Sequence, residues 1–289
     1  MKKPPYQDVW RDGRLVRKGR RECAQRFADI AQRVGDIRTL VDVGGWDGYM
    51  ARRFAEAGVE CALIEPRNVA DLPAGVTHRQ ESITGTTQLE RVDVILALSV
   101  LHHIDDWQDV YALLRRSCDA LIVETPHPDE GDTGERVVAE TKHRFVPLWE
   151  RMEADGEVFA TTPGPNGIDR PLFAVSNVIT GTVEDGTGHA TVETAERPHG
   201  WWEPLGYEPA PGTLNIRVGR AGRGWVKQLL SGVEAADTTY WPVTVGGVGG
   251  VAGHARVTKS LVTVELVAPV HLRSMLGLAN GDTVEVRVR

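Results

Sequence analysis

The sequence predicts an α/β chain in which a doubly wound parallel sheet is followed by a small, mostly antiparallel β-barrel. Three observations lead there. Between Thr39 and Val175, short apolar runs alternate with helical stretches, the pattern of a parallel sheet covered on both faces. Glycine is then enriched, with 14 in residues 1–175 against 17 in the shorter stretch 176–289. From Ser176 onward, short Val/Thr-rich runs are punctuated by glycine turns, which suits a small barrel. A length of 289 residues, at roughly 150 per domain, favours two domains. The boundaries expected are a basic N-terminal arm and helix over 1–38, the sheet over 39–175 and the barrel over 176–289.

Within the sheet region, Thr39 to Val43 reads as a buried strand and Tyr49 to Ala57 as a helix stopped by Gly58. Cys61 to Ile64 is a second strand, with a weaker third near Thr77 to Arg79. Val92 to Leu98 is a fourth, followed by a helix from about Asp106 to Arg116 and a fifth strand over Ala120 to Val123. Asp129 to Gly134 is a polar break. After it, Arg144 to Ala154 reads as an amphipathic helix carrying Phe145, Leu148, Trp149 and Met152, a candidate substrate lid preceded by His143 and Arg144. Two last strands, Glu157 to Thr161 and Leu172 to Val175, close the sheet with an antiparallel edge around the turn at 163–167. In the barrel region the strand candidates are Asn177 to Thr182, Gly188 to Thr194, Leu214 to Val218, Leu261 to Val267 and Thr283 to Val288. One helix candidate there is His271 to Leu276.

Several classes are excluded. The longest apolar run, Val94 to Leu101, already contains Ser99 and is far too short to span a bilayer. The start, Met1 to Pro5, runs into polar residues and lacks the apolar core of a signal peptide. Three scattered cysteines, Cys23, Cys61 and Cys118, give no disulfide framework or zinc knuckle. A soluble, cytoplasmic protein without a membrane partner is expected. Net charge is −7, yet residues 1–38 hold 11 Lys/Arg against 5 Asp/Glu. Such a basic arm can meet phosphate, or be a solvated arm and helix face, since no aromatics are interleaved with the charges.

Chemistry enters at the loop Asp42-Val43-Gly44-Gly45-Trp46-Asp47-Gly48, which joins the first strand to the first helix. Ligands of open α/β sheets bind beyond the carboxyl ends of the strands, and this turn is the usual place. Glycines at 44 and 48 let backbone approach a ligand. The dinucleotide fingerprint fails, because its later glycines would fall on Trp46 and Tyr49. An acid at the end of the second strand, Glu65, stands 23 positions beyond Asp42, suited to accept both hydroxyls of a ribose.

The D-V-G-x-x-x-G loop together with this acid resembles the class I S-adenosylmethionine-dependent methyltransferases, a Rossmann-like fold. Leu98-Ser99-Val100-Leu101-His102-His103 resembles the segment after the family's fourth strand, and Gln80-Glu81-Ser82-Ile83 falls where the family contacts adenine. The resemblance covers about residues 36–175. It departs from the family at Trp46, where the middle glycine of the loop stands, and so implies that Trp46 packs beside or over the cofactor. It implies S-adenosylmethionine held by Asp42, Gly44, Gly45, Trp46, Asp47, Gly48, Glu65, Glu81, Ser82 and Ser99. Methyl transfer from an activated donor mainly requires alignment, with a base only for an acceptor that carries a proton. His102 and His103 are the leading bases, unless they pack against the sheet and bond to backbone. Glu124 ends the fifth strand and either lines the acceptor pocket or is a solvated strand end.

In the barrel region, Thr213 and Asn215 of Pro211-Gly212-Thr213-Leu214-Asn215 alternate on a strand and so present their polar groups to one side, a neutral-oxygen pair able to bind a phosphate-associated Mg²⁺. This motif, with Ala268-Pro269-Val270-His271-Leu272-Arg273 and Gly281-Asp282, resembles the CTP-dependent riboflavin kinases over about residues 174–289. Ile179 to Ala190 looks like that family's glycine-rich opening. The resemblance implies Thr213 and Asn215 on the metal and phosphates, with Mg²⁺ and CTP as cofactors. The glycine-rich stretch 246–250 and a connection from His254 to Leu261 that looks short depart from the family.

The reading that follows is a methyltransferase acting on a nucleotide-like or flavin-like small molecule, with a kinase-like barrel that binds or phosphorylates substrate. The alternatives are a bifunctional methyltransferase and CTP-dependent riboflavin kinase, or a nucleic-acid-modifying methyltransferase that uses the basic arm.

Overall fold

A computed structural model describes residues 7–11, 13–19, 21, 23–132, 136–164, 167–185, 202–218, 233–235, 238–246, 250–257 and 263–288, with side chains of 131, 132, 136–142, 233–235, 238, 257 and 288 left aside. The chain divides into two compact units, Met1–Ser176 and Asn177–Arg289.

The first unit is built on a seven-stranded sheet. In chain order its strands are β3 (Thr39–Val43), β4 (Glu60–Ile64), β5 (Val76–Arg79), β6 (Val92–Leu98), β7 (Cys118–Glu124), β8 (Glu157–Pro163) and β9 (Asp169–Ser176). They lie in the order β5-β4-β3-β6-β7-β9-β8. Five are parallel, and β9 adds antiparallel to β7 with β8 outside it. Successive residues of a strand point to opposite faces, and both faces here are apolar. Val41, Val43, Ile95 and Ala97 face one core with α3 (Trp107–Arg116) and α4 (Arg136–Asp155). Leu40, Val94, Leu96 and Leu98 face the other with α1 (Cys23–Val34) and α2 (Tyr49–Glu56). That is a doubly wound sheet.

Two expectations change in this unit. The helix expected from Arg144 begins at Arg136, so His143 and Arg144 lie within α4 and do not precede it. Its aromatic and apolar stripe is core and not a lid lining: Phe145, Leu148 and Met152 are fully buried, and Trp149 stands edge-on to Phe173. The N-terminal segment is also not a free basic arm. β1 (Val9–Arg11) and β2 (Arg14–Arg17) form a hairpin turned at Gly13, whose φ of 70° suits glycine. Trp10 anchors it, donating to Glu56 at 2.7 Å and meeting the edge of Tyr49. Gly19 N–H donates to Asp8 at 2.7 Å, closing the base of the hairpin. The chain then enters α1 with Arg21 and Arg26 buried.

The second unit is a closed ring of antiparallel strands. Its strands are β10 (Val178–Glu184), β11 (Leu214–Val218), β13 (Thr238–Val245), β14 (Val251–Val257), β15 (Thr263–Val267) and β16 (Thr283–Val288); around the barrel they run β13-β14-β15-β11-β10-β16, and β13 closes on β16. β12 (Val233–Ala235) pairs with β13. The interior is apolar, with Ile216, Val243, Val245, Val264, Leu266 and Val286 fully buried. Strands β12, β13 and β14 were not read from sequence: Pro242 and Gly253 interrupt two of them. The helix α5 (Leu272–Leu276) ends at Gly277, φ 64°. The expected strand Gly188 to Thr194, the glycine-rich residues 186–190 and 247–249, and most of the connection before Leu261 lie outside the described residues.

Candidate active site at the strand ends of the first unit

Five side chains of interest emerge at the carboxyl ends of neighbouring parallel strands. Asp42 is the fourth residue of β3, Glu65 follows β4, Ser99 and His102 follow β6, and Glu124 ends β7. The loop after β3 turns through left-handed backbone at Gly44 (φ 66°), Trp46 (φ 58°) and Gly48 (φ 71°). Side chains cannot be added cheaply there. A Cβ at Gly44 would stand 2.5 Å from Val100, and one at Gly45 would collide with the Asp42 carboxylate.

Glu65 is buried, and each of its oxygens is engaged. Oε2 accepts the Trp46 N–H at 3.1 Å; Oε1 accepts Arg67 N–H at 3.2 Å and Arg67 Nε at 2.9 Å. Burial alone would raise its pKa, but these donors hold it below the ordinary carboxylate value. Asp42 behaves oppositely. Burial pushes it up to about 7, against a backbone donor at Ala51 and the Arg26 charge, and its Oδ2 has no hydrogen-bond partner among the described residues. Asp47 lends its carbonyl to Arg52 Nε at 3.1 Å. Glu81 is exposed and pairs with Arg79 at 2.6 Å; Ser82 is exposed beside it.

Of the two alternatives for Glu124, burial removes one. It is not a solvated strand end, being 1% exposed. Arg21 and Arg26 pair with its two oxygens, the latter at 3.0 Å, and the Ser99 and Thr162 hydroxyls donate to it as well. Burial raises its pKa, yet the two arginines and the hydroxyls override that and bring it to about 2, so it stays a carboxylate. Ser99, expected among the cofactor contacts, belongs to this cluster: it holds φ 58°, donates to Glu124 and accepts from Arg170 Nη1 at 3.2 Å. Arg170 is in turn gripped by Glu130, 2.7 Å from its Nε. Sequence reading missed Arg21, Arg26, Thr162 and Arg170. One signal was available: Cys23, Arg26 and Ile30 share the buried stripe of α1, and an arginine in such a stripe demands a buried anion.

His102 is buried, its Nδ1 without a partner among the described residues, and its ring lies 4.0 Å from that of His103, which is exposed. Burial lowers both pKa values; His103 and Arg170 add to it for His102, and Arg170 and Arg144 for His103. Both rings are therefore neutral at pH 7 and able to accept a proton. Thr125 Oγ1, directly after β7, is another fully buried polar atom without a partner among the described residues.

In the second unit, the Pro211–Thr213 turn and the segment Val270–Arg273 line one narrow cleft. Thr213 Oγ1 donates to Asn215 Oδ1 at 3.3 Å, so the pair does face one side. Beside it Arg273 bonds Asn280 at 2.7 Å and the Glu184 carbonyl, and His271 bonds Ser274 at 3.0 Å.

Fold and motifs together define a chain that joins a methyltransferase domain to a barrel of the riboflavin kinase type. A family model described as "Methyltransferase domain" matches residues 15–135. A model for CTP-dependent riboflavin kinases, described as "Domain of unknown function DUF120", matches residues 185–288. The chain is 33% identical to a riboflavin kinase of Aeropyrum pernix, over 38% of this chain and 95% of that one. It is also 33% identical to a riboflavin kinase of Pyrobaculum arsenaticum, over 47% and 75%. A eugenol O-methyltransferase of Ocimum basilicum is 36% identical over 33% of this chain and 27% of that one. The chain belongs to the riboflavin kinase family and carries a methyltransferase domain in addition.

Proposed function

We propose that the first unit transfers a methyl group from S-adenosylmethionine to a nucleotide-like or flavin-like small molecule, and that the second unit binds or phosphorylates a molecule of the same class. The observation that carries this is the set of buried polar atoms at neighbouring strand ends. Asp42 Oδ2, His102 Nδ1 and Thr125 Oγ1 are unpartnered among the described residues, beside a carboxylate, Glu65, held ionised. Native interiors rarely leave such atoms unpaired unless a ligand or water meets them, and these fit the hydroxyls and ammonium of the proposed donor. The donor supplies an activated methyl on a sulfonium sulfur. The chain's residues do the rest: Glu65 holds ribose hydroxyls, the Gly44–Gly48 backbone admits the donor, and His103 or His102 takes the acceptor's proton. Glu124 fixes the strand ends and stays ionised throughout. Cytoplasmic location suits both substrates, and no helix among the described residues is long and apolar enough to cross a membrane.

Calorimetry with S-adenosylhomocysteine tests the first part. Saturable binding is expected, and Gly48→Arg, which crowds Leu63 and Leu72, should abolish it. No heat at millimolar ligand contradicts the proposal.

The bifunctional reading is favoured by the cleft that unites Thr213 with Arg273 and by the 95% coverage of the Aeropyrum enzyme. It has Thr213 and Asn215 hold Mg²⁺ with the phosphates of CTP. Incubation with CTP, Mg²⁺ and riboflavin should yield a product one phosphoryl group heavier, lost in Asn215→Ala. For the nucleic-acid reading, the described residues of the hairpin expose Arg11, Arg14, Arg17 and Lys18, while Arg21 and Arg26 turn inward. Salt-sensitive retention on RNA would revive it.

A further inference from the structure

Trp46 stands where the loop after β3 reverses, in left-handed backbone, and the residue is 42% exposed. The Arg67 guanidinium lies 3.3 Å from the centre of that ring. The same guanidinium donates from Nε to Glu65 Oε1 at 2.9 Å. One side chain thus engages both the carboxylate that ends β4 and the residue that replaces the loop's middle glycine. The three partners differ in freedom. Glu65 is 4% exposed and held from two sides by backbone N–H groups. The Arg67 side chain is 41% exposed, so it can swing into solvent without opening any packed core.

We propose that Arg67 is a latch on the donor site: stacked on Trp46 and bonded to Glu65, it covers the carboxylate that the donor's ribose must reach, and it is displaced when the donor binds. This rests on the methyl-donor reading above. Binding then requires the unlatched state, so apparent affinity is the intrinsic affinity reduced by the fraction unlatched. A partly exposed charge-assisted hydrogen bond with a cation–π contact makes that reduction modest, about 3- to 10-fold. Arg67 is a positioning residue in this scheme, setting when Glu65 is available.

The test is calorimetric titration of the full chain with S-adenosylhomocysteine, which lacks the sulfonium charge and so separates unlatching from simple repulsion. Arg67→Met and Arg67→Lys should both lower Kd by about 3- to 10-fold. Trp46 provides a second readout. Its emission, taken as the difference between the parent chain and Trp46→Phe, should shift on ligand binding in the parent and already be shifted in ligand-free Arg67→Met. Weaker or unchanged binding in Arg67→Met overturns the latch, because the arginine would then help the ligand or be irrelevant to it. Tighter binding in Met but not in Lys also overturns it, since charge alone would explain the effect. If neither the parent nor Arg67→Met binds while both melt normally, the donor reading fails and the latch with it.

Discussion

The two units solve the same problem, presenting polar chemistry on an apolar framework, in opposite ways. In the first, the polar groups are inside: Asp42, Glu65, His102 and Glu124 are buried at strand ends with Arg26 of α1, and Asp42, His102 and Thr125 each keep a polar atom without a partner among the described residues. In the second, the barrel is filled largely with Val, Leu and Ile, and the motif residues sit part-exposed: Thr213 bonds Asn215 where β11 begins, and Arg273 in α5 bonds Asn280. An open parallel sheet has a free edge of strand ends where ligands are received. A closed six-stranded ring has no such end inside, so its chemistry moves to the rim. Stability and function are therefore entangled in the first unit and separable in the second.

The largest expected effect that tests this is at Glu124. Glu124→Gln leaves Arg21 and Arg26 without their carboxylate and should cost about 3–5 kcal/mol in urea unfolding. Its pH dependence has a definite sign. The folded carboxyl titrates at about 2, below its ordinary 4.5, so its stabilisation is complete above 4.5 and disappears as pH falls toward about 2. The difference between variant and parent should shrink over that window. A variant as stable as the parent at pH 7 would break the comparison.

Next comes the base. His103→Gln should slow methyl transfer about 100-fold for a proton-bearing acceptor, with the fold intact because the ring is exposed. With its pKa below 6.5, the parent's kcat/KM should be flat through neutral pH and fall only at lower pH. If His102→Gln alone has this effect, the buried ring is the base.

Asp42→Asn should move stability and binding in opposite directions. The folded carboxyl is raised from 3.8 to about 7, so it favours the fold only while protonated. The variant should gain on the parent as pH rises above 3.8 and level off above about 7, by about 1–3 kcal/mol, while binding the donor more weakly. The smallest effect is in the barrel. Asn215→Ala should change stability by less than about 1 kcal/mol, since its partner Thr213 is only part-buried, and on the bifunctional reading it should abolish riboflavin phosphorylation.

Much of the fold was readable because burial on both faces writes continuous apolar strands: β3, β6 and β7 announce themselves as Leu40-Val41, Val94 to Leu98 and Leu121 to Val123. The barrel was harder. Pro242 and Gly253 stand inside β13 and β14, where a local reading places turns, and only ring closure makes them strands. The glycine loop and Glu65 were legible because their spacing is local. The Glu124 cluster was not, because Arg21 and Arg26 lie 103 and 98 positions from it, and no local pattern reports a pairing at that distance. Arg67 escaped for a simpler reason: nothing in Glu65-Pro66-Arg67 distinguishes a solvated arginine from one folded back on its neighbour.

The central claim is that the strand ends of the first unit hold a methyl donor through Glu65. Titration of S-adenosylhomocysteine into the full chain and into Glu65→Gln tests it most directly. The account predicts saturable binding to the parent, weakened at least about tenfold in Glu65→Gln, with both proteins equally able to bind CTP in the barrel. Equal binding to parent and variant, or none to either, would contradict it.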